Sequence, residues 1–318
     1  MAKATESKAM QGDTLPDGAH IVVVGPGSMG LVHAAFLHAA GRRVTLLDYR
    51  PERAERIHSG GVSVTGAADL HADVSATADP AQIGTADLLI FFVKAYSTEA
   101  AVAHASPCIG ERTALLTLQN GLGNVEHLIS VASPRQVLAG TTSTGAYKTA
   151  EATVHLAGIG DVQIGSVGGN MALARRVVEI LDEAGFPAQV ADDVDTILWT
   201  KAIINAGINP LGALARVQNG HIPKIPALRL LQEGLVAEAA EIATTAGIEI
   251  EEDLLEYTRQ ICAQTAENRC SMLQDLSSGN QTEIAQINGY IATEGRHHDC
   301  PTLYNATVTR LVKAAQQL

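Results

Sequence analysis

From His20 to about Val190 the chain alternates short apolar runs with stretches of helical length. The runs are Ile21 to Val24, Val44 to Leu47, Leu88 to Val93 and Ala114 to Leu118. Short continuous runs rich in Val, Ile and Leu are typical of strands buried on both faces, and their alternation with helices predicts a parallel sheet covered by helices. Val154 to Leu156 and Val162 to Ile164, with Gly158 and Gly160 between them, predict a hairpin and an antiparallel edge near the end of this half. Beyond Asp192 the period changes. Leu198 to Leu214, Leu228 to Ala246 and Leu254 to Asp275 carry apolar residues three and four apart, which predicts an all-helical second half. Breakers punctuate it at Pro210 and Gly212, Gly220 to Pro226, Gly247, Gly279 with Asn280, and Asp299 to Pro301. Residues 1–19 show no period and predict a frayed terminus. The expected organisation is a tail over 1–19, an α/β domain over 20–192 and a helical domain over 193–318, with a seam near Gly185, Pro187 and the acids Asp192, Asp193 and Asp195.

Composition narrows the classes of function. In 318 residues, 46% hydrophobic and 18% charged, there is enough apolar material for two buried cores. Lys and Arg total 22 against 34 Asp and Glu, and the net charge of −12 would repel a phosphate backbone, so a nucleic-acid partner is not expected. No apolar run approaches the roughly 20 residues that cross a bilayer, and the opening residues lack a signal-peptide core, so no membrane partner and a cytoplasmic location are expected. Cys108, Cys262, Cys270 and Cys300 lie far apart and read as reduced thiols. His297 and His298 beside Asp299 and Cys300 do not read as a metal site, because adjacent side chains diverge and no second pair has zinc-like spacing.

The first candidate chemistry is Gly25-Pro26-Gly27-Ser28-Met29-Gly30, a G-x-G-x-x-G directly after the first strand and before the Ala-rich segment Leu31 to Ala40. The first glycine permits a tight turn, the second lets backbone approach a pyrophosphate, and the third lets helix and strand pack closely. Helix amides and the positive dipole end then face the anion. At the end of the second strand, Asp48 lies where a carboxylate accepts hydrogen bonds from a free ribose 2′-hydroxyl, which favours NAD(H). Arg50, Arg53 and Arg56 follow at once, and any of them could clamp a 2′-phosphate, so the residues alone leave the nucleotide open. Lys94 and Asn120 with Gly121 end two further strands on the side where such sheets gather ligands.

The second candidate is a polar stripe on an apolar helix. In Leu198 to Leu214, Lys201, Asn205 and Asn209 recur every four residues, so successive members rotate by only about 40°. Ala202, Ile203, Ile204, Ala206 and Ile208 lie between them. Burying an unpaired ammonium or amide on such a helix costs several kcal/mol, so the stripe is expected to face a polar ligand. Asn268 and Ser271 form a second pair, read as sharing one helix face. Glu283 opens a run whose Ile284, Ile287 and Ile291 form a buried stripe; a carboxylate near Lys201 would keep that lysine protonated, as a general acid requires.

The segments VVVGPGSMG, FFVKAYST, LQNGLGN, AGTTSTGAY, WTKAIINAGINPLGAL, AENRCSMLQD and TEIAQINGYI together resemble the ketopantoate reductase family over nearly the whole chain after the tail. The resemblance implies an N-terminal Rossmann dinucleotide-binding domain, a C-terminal all-helical domain, and reduction of 2-dehydropantoate to (R)-pantoate with NADPH in pantothenate biosynthesis. It implies that Gly25 to Gly30 hold the pyrophosphate, that Lys94 and Ala146 line the cofactor, and that Asn120 touches cofactor and substrate. Lys201 would be the proton donor. Asn205, Asn209, Asn219, Asn268 and Ser271 would bind the 2-oxo acid, and Glu283 would stand near the nicotinamide and Lys201. One departure is Asp48-Tyr49-Arg50, where the family commonly has an arginine for the 2′-phosphate; it keeps NAD(H) open, and with it an NAD-dependent dehydrogenase of another 2-hydroxy acid. A dinucleotide-binding sensor without turnover is the remaining alternative, and the apolar helices of the second half offer a homodimer face.

Overall fold

The computed structural model describes residues 14–250 and 253–318. They form two compact units, 14–119 with 124–194, and Asn120–Gly123 with the described residues from Asp195 to Leu318. Apart from the excursion at Asn120–Gly123, the chain passes from one to the other after Val194, within the expected seam and two residues beyond the expected boundary at 192.

The first unit runs β1 (His20–Val24), α1 (Ser28–Ala39), β2 (Arg43–Leu47), α2 (Pro51–Gly60), β3 (Val62–Gly66), β4 (Leu70–Ala72), β5 (Ser75–Thr77), β6 (Leu88–Phe91), α3 (Thr98–Ala105), β7 (Ala114–Thr117), α4 (Asn124–Ile129), β8 (Val137–Thr142), β9 (Gly145–Ala150), β10 (Thr153–Gly158), β11 (Val162–Ser166), α5 (Met171–Glu183) and β12 (Ala188–Val190). Eight strands form one sheet in the order β12-β11-β8-β7-β6-β1-β2-β5. From β8 to β5 every pairing is parallel; β11 runs antiparallel to β8, and β12 parallel to β11. The apolar runs lack alternation because both faces are covered. Ile21 and Val23 of β1 enter one core with Leu31, Leu37 and Phe186, while Val22 and Val24 enter another with Phe91, Leu115 and Leu128. The strand order reverses between β1 and β6, the place where sheets of this kind bind ligands at their carboxyl ends.

Two expectations for this half are corrected. Val154 to Leu156 and Val162 to Ile164 do not form a hairpin: β10 lies in a separate sheet, β4-β3-β10-β9, parallel to β3 and antiparallel to β9, whereas β11 belongs to the large sheet. The stretch between them carries the chain from one sheet to the other, and a Cβ on Gly160 would lie 2.6 Å from the Ser143 backbone. Residues 14–19 are not a frayed tail as expected. Leu15 and Ala19 are buried in the first core, the Ala19 amide bonds the Pro16 carbonyl at 3.1 Å, and Asp17 pairs with Arg176 at 2.7 Å. Residues 1–13 of the expected tail lie outside the described residues.

The second unit is helical: α6 (Val194–Ala215), α7 (Pro226–Thr245), α8 (Leu254–Gln264), α9 (Ser271–Ser277), α10 (Asn288–His297) and α11 (Leu303–Ala315). They close on one core that includes Trp199, Ile203, Leu235, Ile242, Ile287, Ile291 and Val312. The single helix expected over Leu254 to Asp275 is two, and Asn268 lies in the link rather than on a helix face with Ser271. The link leaves the helical ladder because its carbonyls serve another segment: Asn219 N donates to Asn268 O at 3.0 Å and Gly220 N to Ala266 O at 3.1 Å. None of the described helices is long and apolar enough to cross a membrane.

Because Leu15 is buried, Leu15→Ala is expected to lower stability by about 2 to 3 kcal/mol. Urea unfolding read by circular dichroism measures this, and an unchanged midpoint would place Leu15 outside the packed core.

Candidate active site

In the glycine loop, two glycines answer to the protein's own packing. Gly25 has φ +96°, and a Cβ there would lie 2.6 Å from Val93 Cγ1; a Cβ on Gly30 would lie 2.1 Å from the Gly25 carbonyl oxygen. Gly27 differs. Its φ of −73° suits any residue, and the nearest atom to an added Cβ is 3.6 Å away. Among the described residues nothing requires glycine at 27, and the open space beside it would allow a ligand to approach the backbone. Gly27 caps α1 without any side-chain hydrogen bond, and the loop therefore presents backbone amides at the end of a 12-residue helix. Pro26 is buried, while Ser28 and Met29 are half-buried. The chemistry of this cradle, backbone amides at a helix N-terminus, suits an anionic group such as a dinucleotide pyrophosphate.

The end of β2 departs from expectation. Asp48 does not offer its carboxylate to a ribose: the side chain is 1% exposed, Arg53 grips it with a fork of Nε and Nη2, and the Tyr49 amide donates to Oδ1 at 2.7 Å. A buried carboxylate requires such partners. The guanidinium of Arg53 is correspondingly raised above its ordinary value, first by that hydrogen bond. Arg56 is occupied by Glu151. Outward stand Tyr49, 66% exposed, and Arg50, whose Nε donates to the Tyr49 hydroxyl at 2.9 Å and whose guanidinium sits 5.2 Å from the ring centre. Lys148 of β9 joins this group; partial burial, and then repulsion from Arg53, pull its ammonium below the ordinary range. Ala146, two residues earlier, is half-buried against the first core.

The loops after β6 and β7 are locked by a buried polar network. Gln119 Nε2 donates to Val93 O at 2.7 Å and to Thr98 Oγ1 at 2.8 Å, and Thr98 Oγ1 lies 2.8 Å from Asn124 Oδ1. Lys94 follows Val93 directly and caps the short turn Ala95–Ser97, so its position is set by this network. Gln119, Thr98 and Asn124 were not singled out from the sequence; Gln119 carries the one signal of a polar residue directly after an apolar run, while Thr98 and Asn124 open the helices α3 and α4. Asn120 begins the segment that belongs to the second unit. Leu122 N donates to Gln286 O at 2.8 Å, and a Cβ on Gly121, at φ +80°, would lie 2.6 Å from the same carbonyl.

In the second unit, Ala202, Ile203, Ala206 and Ile208 of α6 are buried, Lys201 and Asn205 are half-buried, and Asn209 is buried. Burial pushes the Lys201 ammonium down to about 8, while the charge of Glu283, itself buried, acts to raise it. Glu283 lies on a turn that precedes α10 rather than on a helix, and Ile284, Ile287 and Ile291 after it are buried as expected. Cys270 caps α9 and its thiol reaches the Asn209 carbonyl at 3.5 Å; burial pushes that thiol up to about 11, which leaves it an inert neighbour. Asn219 is buried, donating from Nδ2 to Thr265 Oγ1 at 3.0 Å, and its Oδ1 has no partner among the described residues. Asn268 and Ser271 are exposed on either side of Cys270. Lys201 and Glu283 are thus brought into electrostatic reach, and Asn219 and Asn268 into backbone contact.

The chain matches the family model for ketopantoate reductase PanE/ApbA over residues 21–169 and that for its C terminal over 193–316. It is 35% identical over 302 residues to a 2-dehydropantoate 2-reductase of Halobacterium salinarum, covering 93% of this chain and 99% of the relative. A 2-dehydropantoate 2-reductase of Archaeoglobus fulgidus is 32% identical, with 93% and 97% covered. Among solved structures, D-mandelate dehydrogenase in ternary complex with NADH and anilino(oxo)acetate superposes with TM-score 0.89 at 25% identity, covering 94% of this chain and 98% of that one. A PanE/ApbA family ketopantoate reductase from Ralstonia eutropha gives 0.86 at 26%, with 94% and 98% covered. With the glycine cradle, the lysine-bearing helix and two models matching in sequence along its length, this chain belongs to the ketopantoate reductase family.

Proposed function

We propose that the protein is a 2-dehydropantoate 2-reductase, reducing the C2 carbonyl of ketopantoate with a reduced nicotinamide dinucleotide. The observation that carries this is Lys201: an ammonium on an apolar helix, lowered by burial to about 8 and supported by Glu283, and so poised to give up a proton near neutral pH. Gly25 to Gly30 would hold the pyrophosphate, with Lys94, Asn120 and Ala146 lining the remainder of the dinucleotide. When bound, that group supplies the hydride. Lys201 stabilises the negative charge that grows on the carbonyl oxygen and then protonates it from Nζ. Glu283 favours the charged form of Lys201 until that step. Asn205, Asn209 and Asn219 hold the hydroxyl and carbonyl oxygens of the 2-oxo acid, and Asn268 with Ser271 binds its carboxylate.

For the nucleotide, the inward pairing of Asp48 with Arg53 favours NADPH. With the carboxylate neutralised, Arg50 is the charge presented beside Tyr49, and Arg53 and Lys148 add to the positive field that a 2′-phosphate needs. A second reading, an NAD-dependent dehydrogenase of another 2-hydroxy acid, is favoured by the D-mandelate dehydrogenase likeness. Loss of reduced-nicotinamide absorbance separates them, comparing ketopantoate with NADPH against a panel of 2-oxo acids with NADH. The first reading expects the former pair to have the higher kcat/KM.

Further outcomes follow from the side chains. Lys201→Ala should leave the fold intact and lower kcat by about 10²-fold or more, the usual share of a positioned acid. In the parent protein the reductive rate should fall as pH rises through about 8, where the lysine loses its proton, and Glu283→Gln should move that fall to lower pH by removing the charge that raises it. A pH-rate profile of kcat/KM that is flat from 6 to 10 would exclude Lys201 as donor. Arg50→Ala should raise the KM for NADPH about tenfold while leaving that for NADH within about twofold, as loss of one charged contact to phosphate predicts. Equal changes for both nucleotides would place the phosphate elsewhere.

A further inference from the structure

Helix α6 carries Pro210 within its span, Val194–Ala215. Proline has no N–H, so the Ala206 carbonyl, four residues earlier, loses its regular helical donor, and the ring crowds that oxygen. The amide of Asn288 takes the place of the missing donor. Its Nδ2 lies 3.2 Å from Ala206 O and 2.9 Å from Asn305 Oδ1, so each of its two hydrogens has an acceptor. Both asparagines are wholly buried. Asn305 Nδ2 in turn donates to Leu235 O at 3.1 Å and to Glu238 Oε2 at 2.9 Å, and the Glu238 carboxylate accepts the Tyr304 and Asn305 amides at 2.8 and 2.9 Å. The gap opened by Pro210 is therefore one end of a polar chain through α10, α11 and α7. The Asn288 Oδ1 has no partner among the described residues. An amide buried at that cost is retained for what its nitrogen donates.

The place of this bond along the chain gives it a bearing on the chemistry. Ala206 follows Asn205 and precedes Asn209 by three residues, on the helix of Lys201. Asn288 follows Glu283 by five, at the end of a turn in which the Gln286 and Ile287 amides bond the Glu283 carbonyl at 3.0 and 3.1 Å. We propose that Asn288 is a positioning residue: by donating to the carbonyl that Pro210 leaves without a helical partner, it fixes the bend of α6 and ties the Lys201, Asn205 and Asn209 stripe to the turn that carries Glu283. Wholly buried, it would act through these residues rather than by contact with substrate or dinucleotide. The proposal rests on the roles given to Lys201 and its neighbours under the proposed function.

Four full-length proteins test it: the parent, Asn288→Ala, Pro210→Ala and the double variant, each assayed with NADPH and ketopantoate. Asn288→Ala is expected to lower kcat/KM for the keto acid about tenfold or more, since small displacements of reacting groups are costly, and to leave the KM for NADPH within about twofold. In the Pro210→Ala background, where residue 210 regains an N–H for Ala206, the same substitution should cost about threefold or less, a coupling that a side chain filling space alone would not show. An equal loss in both backgrounds overturns the proposal, as does a lower Tm with unchanged kinetics. Should Asn288→Ala fail to fold, recovery of folding in the double variant supports the proposal, and failure of both defeats it. A parent protein that turns over no 2-oxo acid defeats the functional reading itself, and this proposal with it, before any variant is made.

Discussion

The proposed chemistry depends on keeping one ammonium group charged where burial works against it. Lys201 projects from a helix whose other residues are mostly apolar, and desolvation favours its neutral form. The opposing charge of Glu283 limits that loss, so the proton is held near neutrality yet given up readily. A lysine in open water would hold its proton too tightly to be a responsive acid, and one buried with no acid near it would lack the proton. The remainder of the helical unit can be understood as the packing that holds these two groups in place.

The same constraint explains why so much buried polarity is tied to backbone. Gln119, Thr98 and Asn124 lock the loops after β6 and β7, and Asn288 and Asn305 link three helices to α6. Gln119 serves the Val93 carbonyl beyond the end of β6, and Asn288 serves the Ala206 carbonyl that Pro210 leaves without its helical donor. Such bonds are directional in a way that apolar packing is not, so they fix where a loop or helix end lies. A site that transfers hydride and proton to adjacent atoms needs that accuracy.

The glycine loop and the end of β2 show two ways in which a motif can be misleading without its structure. Gly25 and Gly30 are required by contacts inside the protein, so they would be needed with or without a ligand; only Gly27 lacks an internal reason. Asp48 has the sequence position of a ribose ligand, yet its environment makes it the internal counter-ion of Arg53. Burial, rather than residue type, decides which of two neighbouring opposite charges faces a ligand.

The chain's own periodicity was enough to establish two domains of different architecture, the strand, loop and helix around Gly25 to Gly30, and the stripe of Lys201, Asn205 and Asn209, because each is a local pattern set by the repeat of a strand or helix. The second sheet was not legible, since its short strands such as Val62–Gly66 and Gly145–Ala150 mix polar and apolar residues and pair across distant stretches. Nor was the break between Gln264 and Ser271, which exists because Asn219 and Gly220 claim carbonyls that a helix would have used. The partner of Asp48 needed the structure, and so did the donor for Ala206, which stands 82 residues further along the chain. A pattern along the chain records which face of an element is apolar. Which polar groups meet is decided by proximity in the folded chain, where every buried donor must find an acceptor, and local sequence holds no record of that distance.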